Sequence, residues 1–167
     1  PGFKFRGLND STIFFDDNHK RMVQNYRNAF LRLTLYYIGQ GQNDLAVNTL
    51  DAMEEKLPNK LLSMDYGLLY EISNLYLRAG AKDKFNRYSG EVEKLALEKL
   101  KKDPKDVQSY YNPYRILIDI YEAQGRNDKL LEVWQKLETI FPDDPNVKAN
   151  IQKYRNLIQG IDTSKVK

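Results

Sequence analysis

The chain has 167 residues, of which 26 are basic and 23 acidic, for a formal charge of +3, and it has no cysteine. This length suits one domain, and 41% hydrophobic with 29% charged residues supports a core under a solvated surface. The composition excludes disulfides and thiolate metal sites, argues against a nucleic-acid partner, which needs a concentrated basic stripe, and contains no apolar run long enough to span a membrane.

The first residue is Pro1 and no signal-peptide pattern follows, so a fragment or processed product of a longer protein is expected. Residues 1–17 form an irregular lead-in. Phe3, Phe5, Leu8, Ile13, Phe14 and Phe15 make it too aromatic for a free tail, so it is expected to be ordered against the helices. Asn9-Asp10-Ser11 reads as a turn. From there the chain reads as helices. The first runs from about Asp17 to Gly39 with Met22, Tyr26, Phe30, Leu33 and Tyr37 as its apolar positions. A second carries Leu45, Ala46, Leu50 and Met53 and stops before Pro58; a third runs from about Ser63 to Ala79 with Leu69, Ile72, Leu75 and Tyr76. The fourth is long, Lys82 to Lys102, with Phe85, Tyr88, Val92, Leu95 and Ala96, and Asp103-Pro104 breaks it.

Tyr114 to Pro142 is the best-marked stretch. Tyr114, Leu117, Ile118 and Tyr121 share one helix face, Gly125 marks the stop, and Leu130, Val133, Trp134 and Leu137 repeat the stripe up to Pro142. Asp143-Asp144-Pro145 then caps a last helix with Val147, Ile151, Tyr154 and Ile158. Gly160 ends it, and residues 161–167 are expected to fray. No strand pair is evident, so the fold class is all-α.

The hairpin repeats. Tyr114, Leu117, Ile118, Tyr121, Gly125, Leu130, Trp134, Leu137 and Pro142 have counterparts at the same offsets in Phe30, Leu33, Thr34, Tyr37, Gly41, Ala46, Leu50, Met53 and Pro58. A looser copy uses Leu69, Ile72, Ser73, Tyr76, Gly80, Phe85, Ser89 and Val92, with Leu97 where proline is due. This spacing resembles the tetratricopeptide repeat, although the copies start further apart than its period of about 34 residues. The resemblance implies a right-handed superhelix of about three hairpins over residues 18–160, with the last helix as a solvating cap. The plainer alternative is an irregular helical bundle. Ile118 and Leu130 replace the template's two small residues, so the last hairpin is expected to be more open.

Little chemistry is visible. The single histidine, His19, sits near Asp16 and Asp17 and reads as part of a helix start, where acids complement the helix dipole. Asp103, Asp106, Asp143 and Asp144 read as capping residues, and Glu98 to Lys102 as a solvated face. No phosphate loop, nucleophile elbow or zinc motif is present, so no catalytic residue, cofactor or metal site is assigned. Several of the 12 tyrosines fall on packing stripes, which accounts for Tyr37, Tyr76, Tyr114, Tyr121 and Tyr154 without nucleic-acid stacking.

The resemblance implies a concave face lined by the first helix of each hairpin. Transferred position by position, it gives Asn28, Leu31, Leu35 and Ile38, then Tyr70, Asn74, Leu77 and Arg78, then Asn112, Arg115, Asp119 and Glu122. The polar and aromatic members suit a protein or peptide partner. Leu31, Leu35 and Ile38 are expected to lie under the aromatic lead-in. The chaperone-tail clamp of this family needs lysine, arginine and asparagine where this chain has Leu31, Leu35, Glu71, Asn112 and Ile116; that subtype is excluded on the mismatch as a set.

A second resemblance rests on Phe3 to Asp10, Phe14 to Asn18 and Arg21 to Arg27. These are similar to the segment after the last membrane span in a bacterial multi-spanning family related to protein O-mannosyltransferases with C-terminal tetratricopeptide repeats. It implies an upstream membrane-spanning portion, an extracytoplasmic location, and a role in acceptor recognition or stability of a glycosyltransferase. The functional expectations are thus a non-catalytic interaction domain, an accessory domain of a membrane glycosyltransferase, or a scaffold with no ligand. If Trp134 packs fully between hairpins, Trp134→Ala should cost roughly 3–5 kcal/mol in urea unfolding.

Overall fold

Three glycines with left-handed backbone angles fix where the chain reverses. Gly41, Gly80 and Gly125 have φ of 69°, 80° and 67°. Each follows a helix whose last carbonyls need donors, and the same two bonds supply them every time. The glycine N–H donates to Ile38, Leu77 or Glu122 at 3.0, 2.9 and 3.1 Å. The next N–H, of Gln42, Ala81 or Arg126, donates to the carbonyl of Tyr37, Tyr76 or Tyr121, at 2.9 Å in all three. This is the paired-bond helix stop that a residue with positive φ permits. The following helix then starts at once.

The computed structural model describes residues 6–160. They form seven α-helices: α1 (Asp17–Gly39), α2 (Asn43–Lys56), α3 (Tyr66–Arg78), α4 (Lys82–Lys102), α5 (Pro113–Gln124), α6 (Asn127–Ile140) and α7 (Pro145–Ile158). Among the described residues there is no strand, and the protein is all-α. Four helix starts follow side-chain caps: Asp16 accepts from the His19 N–H, Asp65 from Leu68, Asn112 from Tyr114 and Arg115, and Asp144 from Asn146 and Val147. The Asp65 cap explains why α3 begins at Tyr66, later than Ser63. Phe3, Phe5 and residues 161–167, on which expectations were placed, lie outside the described residues.

The chain divides into two compact units, Pro1–Ser89 and Gly90–Lys167, with the boundary inside α4. In the first, α1 packs on α2, and α3 packs on both. Its core holds Val23, Ala46, Leu50, Met53, Leu57, Leu62, Leu69, Ile72 and Tyr76. Met22, Leu33 and Leu45, placed on apolar stripes from sequence, are exposed. The buried side of α1 instead carries Val23, Arg27 and Thr34.

Arg27 is the unexpected member of that core, with almost no exposed surface. Its guanidinium donates to the Leu57 carbonyl at 3.2 Å and to the Leu62 carbonyl. It thereby serves the end of α2, where the negative end of the helix dipole also favours a cation. Burial lowers the Arg27 pKa, and the nearby Glu54 carboxylate opposes that shift. Glu54 in turn accepts from the Asn59 N–H at 3.3 Å.

A second brace recurs in both units. The Tyr76 hydroxyl donates to Asp51 on α2 at 2.9 Å, and Lys84 reaches the same carboxylate at 3.0 Å. In the second unit the Tyr121 hydroxyl donates to Glu93 on α4 at 2.9 Å, and Arg126 clasps that carboxylate with both nitrogens at 2.8 and 3.3 Å. Arg126 also lies 4.7 Å above the Tyr121 ring. The Tyr76 ring stacks on Tyr88 at 5.3 Å. In this second unit α6 packs on α5 and α7, over Tyr114, Ile116, Leu117, Ile120, Leu130, Val133, Leu137, Val147 and Ile151.

Two outcomes follow from these contacts. Arg27→Met should lower unfolding free energy by about 3 kcal/mol, because two carbonyls and a carboxylate lose their cation; urea melts check it. Arg27→Lys should rescue little, having one point charge in place of a fork. The second concerns alkali. Burial first raises the pKa of Tyr76 and Tyr121; the neighbouring Tyr88 and then the bond to Asp51 add to it for Tyr76, and the bond to Glu93 for Tyr121. The folded protein therefore keeps these protons at a pH where the unfolded chain loses them. Stability is full below the unfolded tyrosine value of about 10 and falls as pH rises above it. A Tyr76→Phe/Tyr121→Phe variant should start less stable and show a shallower alkaline decline in urea melts. Parallel declines would contradict this.

Candidate binding face

The residues proposed for the binding face fall into two sets, one on each unit. In the first unit Asn28 is exposed on α1 and accepts from the Gln24 side chain at 3.3 Å. Arg78 is exposed in the last turn of α3, while Asn74 and Leu77 are half-buried. Tyr70 departs from expectation: it is only 8% exposed and belongs to the core. The reason lies in the helix geometry. Tyr70 follows Leu69 and precedes Ile72 and Ser73, all buried, so α3 buries more than a narrow stripe.

In the second unit Arg115 is exposed and donates to the Tyr110 carbonyl at 3.2 Å. Asp119 is half-buried. Asn112 is the helix cap of α5, and its amide nitrogen also donates to the Val107 carbonyl at 2.9 Å. Both ends of its side chain are therefore engaged in holding the helix start. Glu122 is exposed but accepts from the Tyr154 hydroxyl at 2.6 Å, which fastens α7 to α5. Arg78 and Arg115 are the exposed basic residues of the proposed face, one on each unit.

The lead-in behaves unevenly. Asp10 closes a turn by accepting from the Thr12 N–H and hydroxyl at 2.9 and 2.7 Å. Phe15 is buried, with its ring edge-on to His19 at 6.3 Å. Phe14 is 86% exposed and Leu35 is 45% exposed, so Phe14 does not cover the Leu31, Leu35 and Ile38 patch. His19 lies beside Asp16, with its Nδ1 at 2.7 Å, and serves the helix start. Asp106 is held below the usual carboxylate range, first by its bond from Lys99 at 3.0 Å. Among the described residues, no group of three or more histidine or acidic side chains could hold a metal ion. No described helix is long and apolar enough to cross a membrane.

Sequence reasoning missed two cavities in the second unit. One, of about 420 Å³, lies among Leu97, Leu100, Lys101, Lys105, Tyr114 and Lys136. The other, of about 590 Å³, lies among Arg115, Ile118, Trp134, Leu137 and Phe141, and Tyr114 stands in the wall of both. The signal for them was the replacement of the small pair. Ile118 occupies a place where Thr34 and Ser73 are fully buried in the other hairpins, and Ile118 itself is only half-buried. Trp134 is likewise half-buried, and its indole nitrogen, shielded from solvent, has no hydrogen-bond partner among the described residues. Its equivalent Leu50 is fully buried. Trp134 is thus a cavity wall and not the closed spacer expected from the repeat pattern. The cost of Trp134→Ala accordingly drops to about 2 kcal/mol, below the range for a fully enclosed tryptophan.

The chain matches no protein-family model and no curated protein.

Proposed function

We propose that this chain is a non-catalytic protein- or peptide-interaction domain of the tetratricopeptide type. The observation that supports the reading best is the threefold recurrence of one turn. The same pair of backbone bonds, ending on a tyrosine carbonyl, follows the glycine in each hairpin. The second helices of the first and last hairpins also stop alike. Leu57 and Phe141 have φ of −131° and −127°, donate to the carbonyl four residues earlier at 2.8 Å, and precede a proline. In the tetratricopeptide family such hairpins recognise extended or helical segments of other proteins. Arg78 on the first unit and Arg115 on the second are the residues offered for contact.

The experiment is a quantitative capture from cell extract, with the wild type against an Arg78→Glu/Arg115→Glu variant. Both side chains are exposed, so circular dichroism should be unchanged. Partners that use these faces should be recovered about tenfold less by the variant, the effect of reversing two rim charges. Equal recovery would remove the role given to these arginines.

A further inference from the structure

We infer that the two cavities flanking Tyr114 form one docking site for an acidic peptide segment that carries aromatic or aliphatic side chains. This deepens the interaction-domain reading and rests on it. The floor is apolar, made by Leu97, Leu100, Ile118, Trp134, Leu137 and the Tyr114 ring. Volumes of about 420 and 590 Å³ are within the ordinary range of ligand pockets.

Charge selects the occupant. Every charged residue lining the cavities is basic: Lys101, Lys105 and Lys136 at the smaller and Arg115 at the larger. None of these four forms an ion pair among the described residues. Three carboxylates of this unit are engaged by other cations, Asp106 by Lys99, Glu93 by Arg126 and Glu132 by Lys129, while Asp103, close enough to Tyr114 to add to the rise in pKa that burial causes there, accepts from the Lys105 backbone N–H at 3.1 Å. Four cations thus stand around apolar hollows without an ion-pair partner among the described residues. A partner segment that alternates acidic with large apolar residues satisfies both features at once. A simple polyanion satisfies only the charge, and a neutral apolar ligand only the hollows.

The site carries its own reporter, because Trp134 is the only tryptophan. The full chain is titrated with a short synthetic peptide that alternates Phe or Leu with Asp or Glu. Trp134 emission and calorimetry are followed in parallel. Controls replace the acids with lysine, replace the apolar residues with serine, or use a single-stranded oligonucleotide. The expected result is a saturable Trp134 emission change with the acidic amphipathic peptide alone, weakened by salt. Lys105→Glu/Lys136→Glu should weaken binding roughly tenfold with an unchanged thermal midpoint, since both lysines are exposed. The inference is overturned if the lysine peptide binds equally, if the serine peptide or oligonucleotide binds as well as the amphipathic one, or if the charge reversals leave affinity unchanged. Calorimetric binding that leaves Trp134 silent but is lost in Arg78→Glu would place recognition elsewhere; the docking site then fails while the interaction-domain reading survives. Binding by no peptide, with no partner captured from extract, would remove both.

Discussion

Each hairpin in this protein is closed at one carbonyl. Tyr37, Tyr76 and Tyr121 accept the N–H two residues into the next segment, and the glycine between makes that approach possible. Two of these tyrosines do more. Their hydroxyls reach back to a carboxylate on an earlier helix, Asp51 for Tyr76 and Glu93 for Tyr121. A single residue thereby sets the turn through its backbone and the packing of successive helices through its side chain. Moving either tyrosine by one position would turn the ring away from its carboxylate, because neighbouring helix positions face different ways. Glycine spacing and helix packing are therefore coupled through one residue type.

Cations complete these braces in different ways. Arg126 lies on the Tyr121 ring and holds Glu93 with two nitrogens, while Lys84 offers Asp51 a single contact. Arg27 is of another kind, buried and directed at main-chain carbonyls. It joins α1 to the loop after α2 through the Leu57 and Leu62 carbonyls. A buried cation is tolerable there because helix-end carbonyls and the Glu54 carboxylate both favour positive charge.

Helix order and turn positions were legible in the sequence. They depend on local signals, a glycine at a stop, an aspartate or asparagine at a start, a proline after an end. The stripe of α7 was legible too, apart from Ile158, which is exposed, and that of α3 was legible as far as it went, although α3 buries Tyr70 as well. The face of α1 was not. Its apolar periodicity pointed to Met22 and Leu33, yet Val23, Arg27 and Thr34 are the buried residues; the repeat offsets marked Thr34, but no hydrophobicity pattern marks an arginine as core. The candidate face was legible only in part for a related reason. Tyr70, Asn112 and Glu122 have the right residue types at the right offsets, but core packing, a helix cap and a tyrosine bond had already engaged them. The cavities beside Tyr114 depend on what fails to fill a space, and a chain of letters records fillers more readily than gaps.

The ends of α2 and α6 make that last point concrete. Leu57 and Phe141 occupy the same place in two hairpins and share nearly the same backbone angles. Leu57 is wholly buried, whereas Phe141 is partly exposed and stands at the edge of a hollow. Duplicated units need not bend their backbones to diverge. One copy can keep its plug while another loses it, and the vacancy becomes raw material for selection. A repeated architecture of this sort can acquire a new surface at one address while its sister copies preserve the original as a stable template.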